Sequence, residues 1–456
     1  MTLQDIGNAV GGALHDAAPG RLVTGVARYD SRLVGPGDLF VAFPGARADG
    51  HDFAELAVTR GAAAVLAGRP VGVPAVVVDD VLAGFGRLAA TLISRATDLT
   101  VIGVTGSVGK TTTKDLLGQV LARLGPTVAP PGNLNNEIGV PATVSLIRPD
   151  TRYLVAELGA RNLGDVAYLA RLVAPRIGVV TSVGVSHLSE FGSLENTTAA
   201  KAELVEALPA GGHAVLNADD PRVAAMAARS SAPVTLFGTT THASVRAEHV
   251  TVDEAGRASF RLCSPTGSVR VALRLHGEHY VSNALAAASA ALTLTDDVAA
   301  VADALSHADR VSGGRMHVRD TAGGVTVVDD AYNASPASAI AALRTAAGLA
   351  RDRRLVAVLG QMNELGPESA GHHTAVGNAA VDAGVRYLIG VGNDDAGRIV
   401  AAAREAGVEA EHVPDAATAL ALLHPRLAPG DVVLMKGSNA VGLQAAADRL
   451  IEQGGR

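Results

Sequence analysis

The segment TVIGVTGSVGKTTTKDLL, residues 100–117, constrains the fold of this chain more than any other stretch. It combines a short apolar strand, a turn with two glycines, and a helix that opens with a lysine and three threonines. Backbone N–H groups at a helix N-terminus form a natural anion site, and glycine lets the backbone approach a phosphate closely. The segment therefore predicts a phosphate-binding loop between a strand and a helix of an α/β domain.

The side chains of this loop indicate a nucleotide. Lys110 is placed to reach the outer phosphates, and the Thr111 hydroxyl to bind Mg²⁺. The first glycine of the longer G-x-x-x-x-G-K-[ST] pattern is absent, because Val104 occupies its position. The alternative is a bare strand-to-helix turn, but the order of strand, glycines, Lys and Thr favours nucleotide binding. The predicted binding residues are Gly106, Ser107, Val108, Gly109, Lys110, Thr111 and Thr112.

Lysine is scarce in this chain. The 38 basic residues include only four lysines, Lys110, Lys114, Lys201 and Lys436. Lysine offers a compact charge and an amine that can become neutral and react, whereas arginine keeps its charge on a planar fork. We infer that several of these four positions require an amine; compositional drift is the alternative.

Composition excludes several classes of protein. The net charge of −7 argues against a general nucleic-acid binder, and the single cysteine, Cys263, rules out an intrachain disulfide framework. The N-terminus has no signal-peptide pattern, and no uninterrupted apolar run is long enough to span a bilayer. We expect a cytoplasmic protein that does not insert into a membrane, and a monomer.

The length of 456 residues and the pattern along the chain indicate an α/β protein of three domains. Residues 1–80 contain short strand candidates and one helix candidate at 51–66, typical of a small α/β domain. Residues 81–311 predict a central P-loop domain with a parallel sheet, plus an antiparallel insert of short strands at 234–275. In residues 312–456 strands alternate with Ala-rich helices, the pattern of a doubly wound parallel sheet.

Polar residues elsewhere are candidates for the same site. Glu157 ends an apolar strand, where P-loop proteins place an acidic Mg²⁺ ligand, although a solvated strand end is the alternative. His187 follows the next strand and is a ligand or a surface residue. Lys201 lies in a predicted helix, where a solvated lysine would be usual. Two polar loops complete the set. Loop 132–141 contains three asparagines that could contact a ligand, and a plain Asx-turn loop is the alternative. Residues 329–333 follow a strand end, where ligands bind in open α/β sheets.

These segments together resemble the Mur ligase family, the ATP-dependent amide ligases of peptidoglycan synthesis. The resemblance covers nearly the whole chain in one order, and it implies an N-terminal UDP-binding domain, a central ATPase domain and a Rossmann-like C-terminal domain. The matching segments are DSRLVGPGDLFVAFPG, DGHDF, GSVGKTTTK, NLNNEIGVP, AELGA, HLSEFGS, AAKAEL, HYVSNALAA, GRM, DDAYNASP, LGQMNELG and KGS.

The resemblance implies ATP in the loop and two Mg²⁺ ions beside it. Thr111 and Glu157 would hold one ion, and His187 would lie by the second. Lys201 matches the lysine that is carbamylated in this family, and the carbamate would supply a carboxylate near the second ion. Arginine cannot substitute as a neutral amine, which agrees with a retained lysine. The implied catalytic residues are Lys110, Glu157, His187 and Lys201.

The resemblance also implies contacts for the rest of the substrates. The adenine contact is Asn283. The nucleotide or phosphate contacts from the C-terminal domain are Arg315, Asp330 and Asn333. The UDP-sugar contacts are Ser31 and Arg32. The peptide contacts are Asn133, Asn135 and Asn136.

Two positions depart from the family pattern. The family often has Arg after KGS, where this chain has Asn439, and the first lysine of the frequent AKAK pattern is replaced by Ala199. Position 439 therefore does not supply that arginine in this chain, whereas Lys201 is unaffected.

Within the family, the motifs are closest to the member that joins D-alanyl-D-alanine to UDP-N-acetylmuramoyl-tripeptide. One alternative is the sister ligase that adds the third residue to the UDP-dipeptide, but its DNPR-type motif is absent from this sequence. Folylpolyglutamate synthase shares the ATPase core but lacks a UDP-binding domain like residues 1–80. A non-catalytic P-loop module is the alternative from another class, and it would have no need of Glu157, His187 and Lys201 together.

Overall fold

The computed structural model describes residues 1–45, 48–185 and 188–453, and these residues form three β-sheets with helices packed against them. The sheets have five, nine and six strands and follow one another along the chain. Within the described part of the chain, no helix combines the length and apolar composition needed to cross a membrane. The three-domain α/β architecture predicted from the sequence is confirmed.

The first sheet has the order β1-β5-β4-β3-β2, parallel except where β1 pairs with β5. Its strands are β1 (Ala13–His15), β2 (Ala27–Arg28), β3 (Leu39–Val41), β4 (Ala64–Ala67) and β5 (Ala75–Val77). Its helices are α1 (Leu3–Val10), α2 (Ala54–Thr59) and α3 (Val81–Arg95). Helix α3 packs Val81, Phe85 and Leu88 into the core of this sheet and Ala89 into the next core. The helix therefore links the first two sheets.

The second sheet has the order β14-β13-β12-β11-β10-β9-β6-β8-β7. It is parallel from β7 to β12 and antiparallel across β12, β13 and β14. The strands are β6 (Thr100–Thr105), β7 (Thr127–Val128), β8 (Tyr153–Glu157), β9 (Ile177–Val180), β10 (His213–Asn217), β11 (Val234–Gly238), β12 (Val245–Val252), β13 (Arg257–Ser264) and β14 (Gly267–His276). The helices are α4 (Lys110–Ala122), α5 (Gly139–Val144), α6 (Asp165–Val173), α7 (Leu188–Phe191), α8 (Leu194–Glu206), α9 (Pro221–Ala225), α10 (Tyr280–Leu292) and α11 (Val298–His307).

The third sheet has the order β15-β16-β20-β17-β18-β19, parallel except for the edge strand β15. Its strands are β15 (His317–Asp320), β16 (Thr326–Asp329), β17 (Leu355–Gly360), β18 (Val385–Val391), β19 (Glu409–Val413) and β20 (Val432–Lys436). Its helices are α12 (Pro336–Ala350), α13 (Ser369–Asp382), α14 (Asp394–Glu405), α15 (Ala416–Leu423) and α16 (Leu443–Gln453). One apolar core, including Val104, Leu285 and Leu343, runs from the second sheet into the third.

Two predictions of local structure were wrong. The helix expected at 51–66 ends at Thr59, because Gly61 adopts a φ of +111° and the following AVLA segment is buried as β4 in the parallel sheet. The insert expected at 234–275 is antiparallel only from β12 onward, since β11 pairs in parallel with both of its neighbours. The boundaries at 80/81 and 311/312 fall between the sheets and remain predictions.

Candidate active site

The glycine loop joins β6 to α4 as the sequence predicts. Gly106 has a φ of +143° and Gly109 a φ of +89°, conformations that favour glycine. A Cβ at Gly106 would collide with Thr181 Oγ1, and one at Gly109 with Asn283 Nδ2. Both glycines are therefore required by backbone conformation and by close packing.

The loop is held from beneath and folds around Lys110. Ser107 N donates to Ser182 O at 2.8 Å, and Val108 N donates to Ser182 Oγ at 3.1 Å. Lys110 Nζ donates to Gly106 O at 2.7 Å, so the amine caps its own loop. Burial lowers the pKa of Lys110 while the charge of Glu157 opposes that shift. The first N–H groups of α4 have no intrahelical acceptor and lie at this end of the helix.

Two oxygen ligands suited to Mg²⁺ lie together behind the loop. Thr111 Oγ1 donates to Glu157 Oε2 at 2.8 Å, and both residues are buried. Asn135 Nδ2 donates to the other carboxylate oxygen, Glu157 Oε1, at 2.8 Å. The described residues contain no group of three or more His, Cys, Asp or Glu side chains that could hold a metal ion by itself. Because Mg²⁺ is usually bound by one or two protein oxygens together with substrate phosphates, the Thr111 and Glu157 pair fits such an ion.

Arg315 reaches this site from the segment that leads into the third sheet. Its Nη2 donates to Thr111 Oγ1 at 2.9 Å, and its guanidinium lies 4.5 Å from the centre of the Tyr332 ring. The Arg315 Nε is buried and has no hydrogen-bond partner among the described residues. A buried donor without an acceptor is costly, so this guanidinium is suited to bind an anion beside the loop.

Asn283 braces the loop from α10. Its Nδ2 donates to Gly109 O and to Thr113 Oγ1, both at 3.1 Å. Its amide donors are therefore engaged in holding the loop, and the predicted adenine contact would fall to its carbonyl oxygen. Thr112 is half-buried and lines a small cavity together with Tyr280 and Arg315.

Lys201 is buried on α8 and carries an unusual amine. Its Nζ lies 5.1 Å from the centre of the Phe191 ring, and it has no hydrogen-bond or ion-pair partner among the described residues. Burial, and secondarily the charge of Lys110, lower the pKa of Lys201 to about 7. A large part of this amine is therefore neutral near pH 7. The prediction for His187 lies outside the described residues.

Asp330 and Asn333 are held by a lysine that the sequence singled out without assigning a role. Lys436 Nζ donates to Asp330 Oδ2 at 2.6 Å and to Asn333 O at 2.9 Å. The second oxygen, Asp330 Oδ1, accepts from Met316 N at 3.0 Å, one residue after Arg315. The cluster thus fixes the backbone that carries Arg315.

Family models match three parts of the chain: the Mur ligase family catalytic domain at 24–90, the Mur ligase middle domain at 104–291 and the Mur ligase glutamate ligase domain at 314–439. The chain is 45% identical to the UDP-N-acetylmuramoyl-tripeptide--D-alanyl-D-alanine ligase of Mycobacterium tuberculosis, over 99% of this chain and 98% of the relative. The chain belongs to the Mur ligase family.

Solved structures of this family share the whole fold. A crystal structure of MurF from Acinetobacter baumannii superposes with a TM-score of 0.87 at 30% identity, covering 99% of this chain and 98% of that one. The MurF ligase of Thermotoga maritima, crystallised in complex with ADP, gives a TM-score of 0.77 at 28% identity over 95% and 98% of the two chains. The similarity is therefore not confined to the P-loop.

The residues that the Mur ligase resemblance assigns to the UDP-sugar lie between β2 and β3 of the first sheet. Ser31 is buried and begins a 3₁₀ helix, and Arg32 is exposed and paired with Asp30 at 2.7 Å. No hydrogen bond or ion pair among the described residues joins them to the glycine loop.

The asparagines assigned to the peptide have different positions. Asn135 contacts Glu157, as described above. Asn136 Oδ1 accepts from Gly139 N at 2.8 Å, and Asn133 is exposed beside the Tyr332 hydroxyl. Asn439, which replaces the arginine frequent in Mur ligases, donates to Tyr332 O at 3.3 Å. Loop 132–141 thus faces the unit that contains the third sheet.

Sequence reasoning missed the role of two neighbours in α4. Lys114 Nζ donates to Asp115 Oδ1 at 2.6 Å and to Pro130 O, and Asp115 Oδ2 accepts from Ser312 N at 3.1 Å. The scarcity of lysine was the one signal in the sequence that pointed to this position. Of the four lysines, Lys110 is half-buried and the other three are buried, so each is more than a solvated surface charge.

Proposed function

We propose that the protein joins D-alanyl-D-alanine to the terminal carboxylate of UDP-N-acetylmuramoyl-tripeptide, with ATP converted to ADP and phosphate, as a step of peptidoglycan precursor synthesis in the cytoplasm. The carrying observation is the contact of Thr111 with both Glu157 and Arg315, which gathers a Mg²⁺ ligand pair and an anion-binding guanidinium at the glycine loop. The 45% identity to the Mycobacterium tuberculosis ligase of this name, over 99% of this chain, supports the choice of substrates.

The loop residues Gly106–Thr112 bind the phosphates of ATP. The N–H groups at the start of α4 point to the phosphates, and Lys110 leaves Gly106 O to contact the outer ones. When the Thr111 hydroxyl oxygen serves as a metal ligand, Arg315 Nη2 would lose this acceptor. Arg315 Nη2, together with Nε, which has no partner among the described residues, would then donate to phosphate. These groups position charge rather than react, as phosphoryl transfer requires.

Mg²⁺ is the metal that the site fits, and we assign two ions. Thr111 and Glu157 would hold the first ion, and His187 and Lys201 would serve the second, Lys201 once its neutral amine has added CO₂ and lost a proton to form a carbamate. When bound, Mg²⁺ would offset the negative charge of the ATP phosphates and of the peptide carboxylate. The absence of an ion-pair partner for Lys201 within the described chain, together with its pKa of about 7, supports this modification.

The reaction proceeds in two balanced steps. A carboxylate oxygen of the tripeptide attacks the γ-phosphorus, and the bond from this phosphorus to the oxygen bridging the β-phosphate breaks. The products are ADP, which is the leaving group, and an acyl phosphate on the tripeptide. The amine of D-alanyl-D-alanine then attacks the acyl carbon, loses a proton and expels phosphate. Lys110 and Arg315 balance the charge that develops on the transferred group, and Asn135 keeps Glu157 oriented.

The remaining assignments follow the same site. Asn283 accepts from adenine through its carbonyl oxygen, and Asp330 and Asn333 contact the nucleotide from the third sheet. Ser31 and Arg32 bind the UDP-sugar, and Asn133, Asn135 and Asn136 face the peptide. We assign domains to residues 1–80, 81–311 and 312–456 and a monomeric state, with closure of the domains on binding.

The test is phosphate release by the purified protein with Mg·ATP, UDP-N-acetylmuramoyl-tripeptide and D-alanyl-D-alanine, with each component omitted in turn. We expect release only when all are present, and a product heavier by the dipeptide. The Glu157→Gln variant, which keeps the shape of the side chain, serves as the matched inactive protein.

Two other outcomes separate the alternatives. Release with the UDP-dipeptide and one amino acid, but not with the tripeptide, would reassign the protein to the sister ligase. Binding of ADP without phosphate release with either acceptor would indicate a nucleotide-binding module that is not a ligase.

A further inference from the structure

One face of α4 is bound at each turn by the chain segment 309–315, which connects the second sheet to the third. Thr111 accepts from Arg315 at 2.9 Å, and Asp115 accepts from Ser312 N at 3.1 Å. Gln119 exchanges two hydrogen bonds with the backbone of Asp309, at 2.8 and 2.9 Å. The three α4 positions are four residues apart, so they lie on one stripe of the helix. The connecting segment 309–315 therefore runs antiparallel to α4 and ends beside the nucleotide loop.

A closed ring of hydrogen bonds ties this segment to a third part of the chain. Ser312 N donates to Asp115, Asp115 accepts from Lys114, and Lys114 donates to Pro130 O. The ring is completed by Gly132 N, which donates to Ser312 Oγ at 2.9 Å. Lys114, Asp115 and Ser312 are 2%, 8% and 4% exposed, respectively. Pro130 and Gly132 are half-buried. The bonds among the three buried members are therefore largely shielded from water, where such bonds are strong and costly to leave unmade.

The ring lies three residues away from two groups of the active site, along two separate segments. Ser312 precedes Arg315, which contacts Thr111, and Gly132 precedes Asn135, which contacts Glu157. A shift of Ser312 against Gly132 would therefore move Arg315 and Asn135 relative to the Thr111 and Glu157 pair. None of the ring members contacts that pair directly through a side chain.

The geometry of the ring requires a lysine at position 114. The amine of Lys114 serves Asp115 and the Pro130 carbonyl at once, within a buried site next to a carboxylate. A guanidinium is larger, planar and fixed in its donor directions, so arginine cannot occupy the same position without displacing loop 130–132.

We propose that Lys114, Asp115 and Ser312 are positioning residues for ligation: their ring sets the register of the connecting segment 309–315 and of loop 130–136 on α4, and so brings Arg315 and Asn135 to the nucleotide site together. The role rests on the proposed ligase function. The ring does not touch substrate, so its loss impairs the chemical step more than nucleotide binding.

The sharpest variant is Ser312→Ala, which removes the acceptor of Gly132 N and leaves the Ser312 N bond to Asp115 intact. We expect kcat for phosphate release to fall about tenfold while the KM for ATP stays within about twofold. Ser312→Thr keeps the hydroxyl and is expected to restore most of the rate. The matched control is Ser306→Ala, at a position away from the site. It removes a hydroxyl that accepts a hydrogen bond from Ala272 N at 3.2 Å, and we expect kcat of this variant to be unchanged.

Hydrogen exchange tests the ring without using the ligase reaction. With Mg·ADP as the probe, we expect slower exchange in peptides covering 128–136 and 309–316 of the wild-type protein. Ser312→Ala should raise exchange in 128–136 and abolish the response there, and Lys114→Met should do so in both peptides, with circular dichroism confirming that each variant is folded.

Equal kcat for Ser312→Ala and wild type, or unchanged exchange in 128–136, would overturn the proposal. A rise in the KM for ATP of Ser312→Ala with no change of kcat would also overturn it, because the ring would then serve nucleotide binding. If the wild-type protein released no phosphate, the proposed function would fail, while the exchange experiment would still decide whether the ring couples the two segments.

Discussion

Arg315 Nη2 and Thr111 Oγ1 lie 2.9 Å apart, although 204 positions separate them along the chain. The contact places a guanidinium from the segment before the third sheet on the hydroxyl that follows the P-loop lysine. The Tyr332 ring lies 4.5 Å from the guanidinium, a cation–π contact that helps to hold Arg315 beside Thr111. The chemistry of the loop and the arrangement of the two sheets are therefore linked through one side chain.

The first prediction concerns this arginine. In Arg315→Lys the charge remains, but the fork that reaches Thr111 and stacks on Tyr332 is lost. We expect kcat for phosphate release to fall about a hundredfold. The control is Arg354→Lys, because Arg354 contacts Arg426 O and Asp431 elsewhere in the third unit. Equal losses in the two variants would contradict a specific role of Arg315.

The second prediction compares two glycines of the same conformation. Gly109 and Gly164 both cap helix N-termini with φ near +90°, but a Cβ at Gly109 meets Asn283 Nδ2 and one at Gly164 meets nothing within 4 Å. Gly164→Ala should cost about 1–2 kcal/mol of stability and leave ADP affinity intact. Gly109→Ala should in addition weaken Mg·ADP binding at least tenfold, measured by calorimetry, since Asn283 must move. Similar ADP affinities in both variants would refute this explanation.

The glycine loop and its acidic partner could be predicted from the sequence because local patterns encode them. A strand, two glycines, Lys and Thr are contiguous, and Glu157 ends the neighbouring strand. Parallel strands bring their carboxyl ends to one edge of the sheet, so the approach of Glu157 to Thr111 follows from the fold class. The resemblance to the Mur ligases added Arg315 and Asn135, which local patterns alone could not place.

Other features have no local signature. The contact of Ser312 with Gly132 joins positions 180 residues apart, and a backbone N–H leaves no trace in the sequence. Strand β4 was predicted as part of a helix because a short Ala- and Val-rich run suits either state, and burial in the parallel sheet decided between them. The two edge strands of the third sheet, β15 and β19, were not predicted; their sequences, HVRD and EAEHV, are too polar to indicate buried strands.

The third prediction concerns Lys436 and Asp330, whose charged atoms lie 2.6 Å apart with the lysine buried. Lys436→Met leaves the Asp330 carboxylate without its cation, and we expect a loss of about 3–5 kcal/mol in the free energy of unfolding, measured with urea. The double variant Lys436→Met with Asp330→Asn should recover much of that loss, because no unpaired charge remains. Strictly additive effects would mean that the two groups do not interact.

The fourth prediction is the pH dependence of stability that Lys201 introduces. Its pKa is lowered from 10.5 to about 7 in the folded protein, mainly by burial. Between these values the unfolded chain binds one more proton, so the free energy of unfolding rises with pH there, and the destabilising contribution is complete below pH 7. In CO₂-free buffer, Lys201→Met should exceed the wild type in stability most at about pH 6 and progressively less toward about pH 9. A difference that does not vary with pH would contradict the lowered pKa.

The fifth prediction concerns modification of the same amine. Only a neutral amine can take up CO₂, and a lysine with a pKa of about 7 is largely neutral under mildly alkaline conditions. Protein held in CO₂-free buffer at low pH should lose phosphate-release activity and regain it when bicarbonate is added at mildly alkaline pH, with a mass increase of one CO₂. Lys201→Arg should be inactive and unresponsive to bicarbonate, because its guanidinium stays charged. Full activity of the wild-type protein without CO₂, or a bicarbonate response in Lys201→Arg, would exclude a carbamate at this position and remove one ligand of the proposed second Mg²⁺.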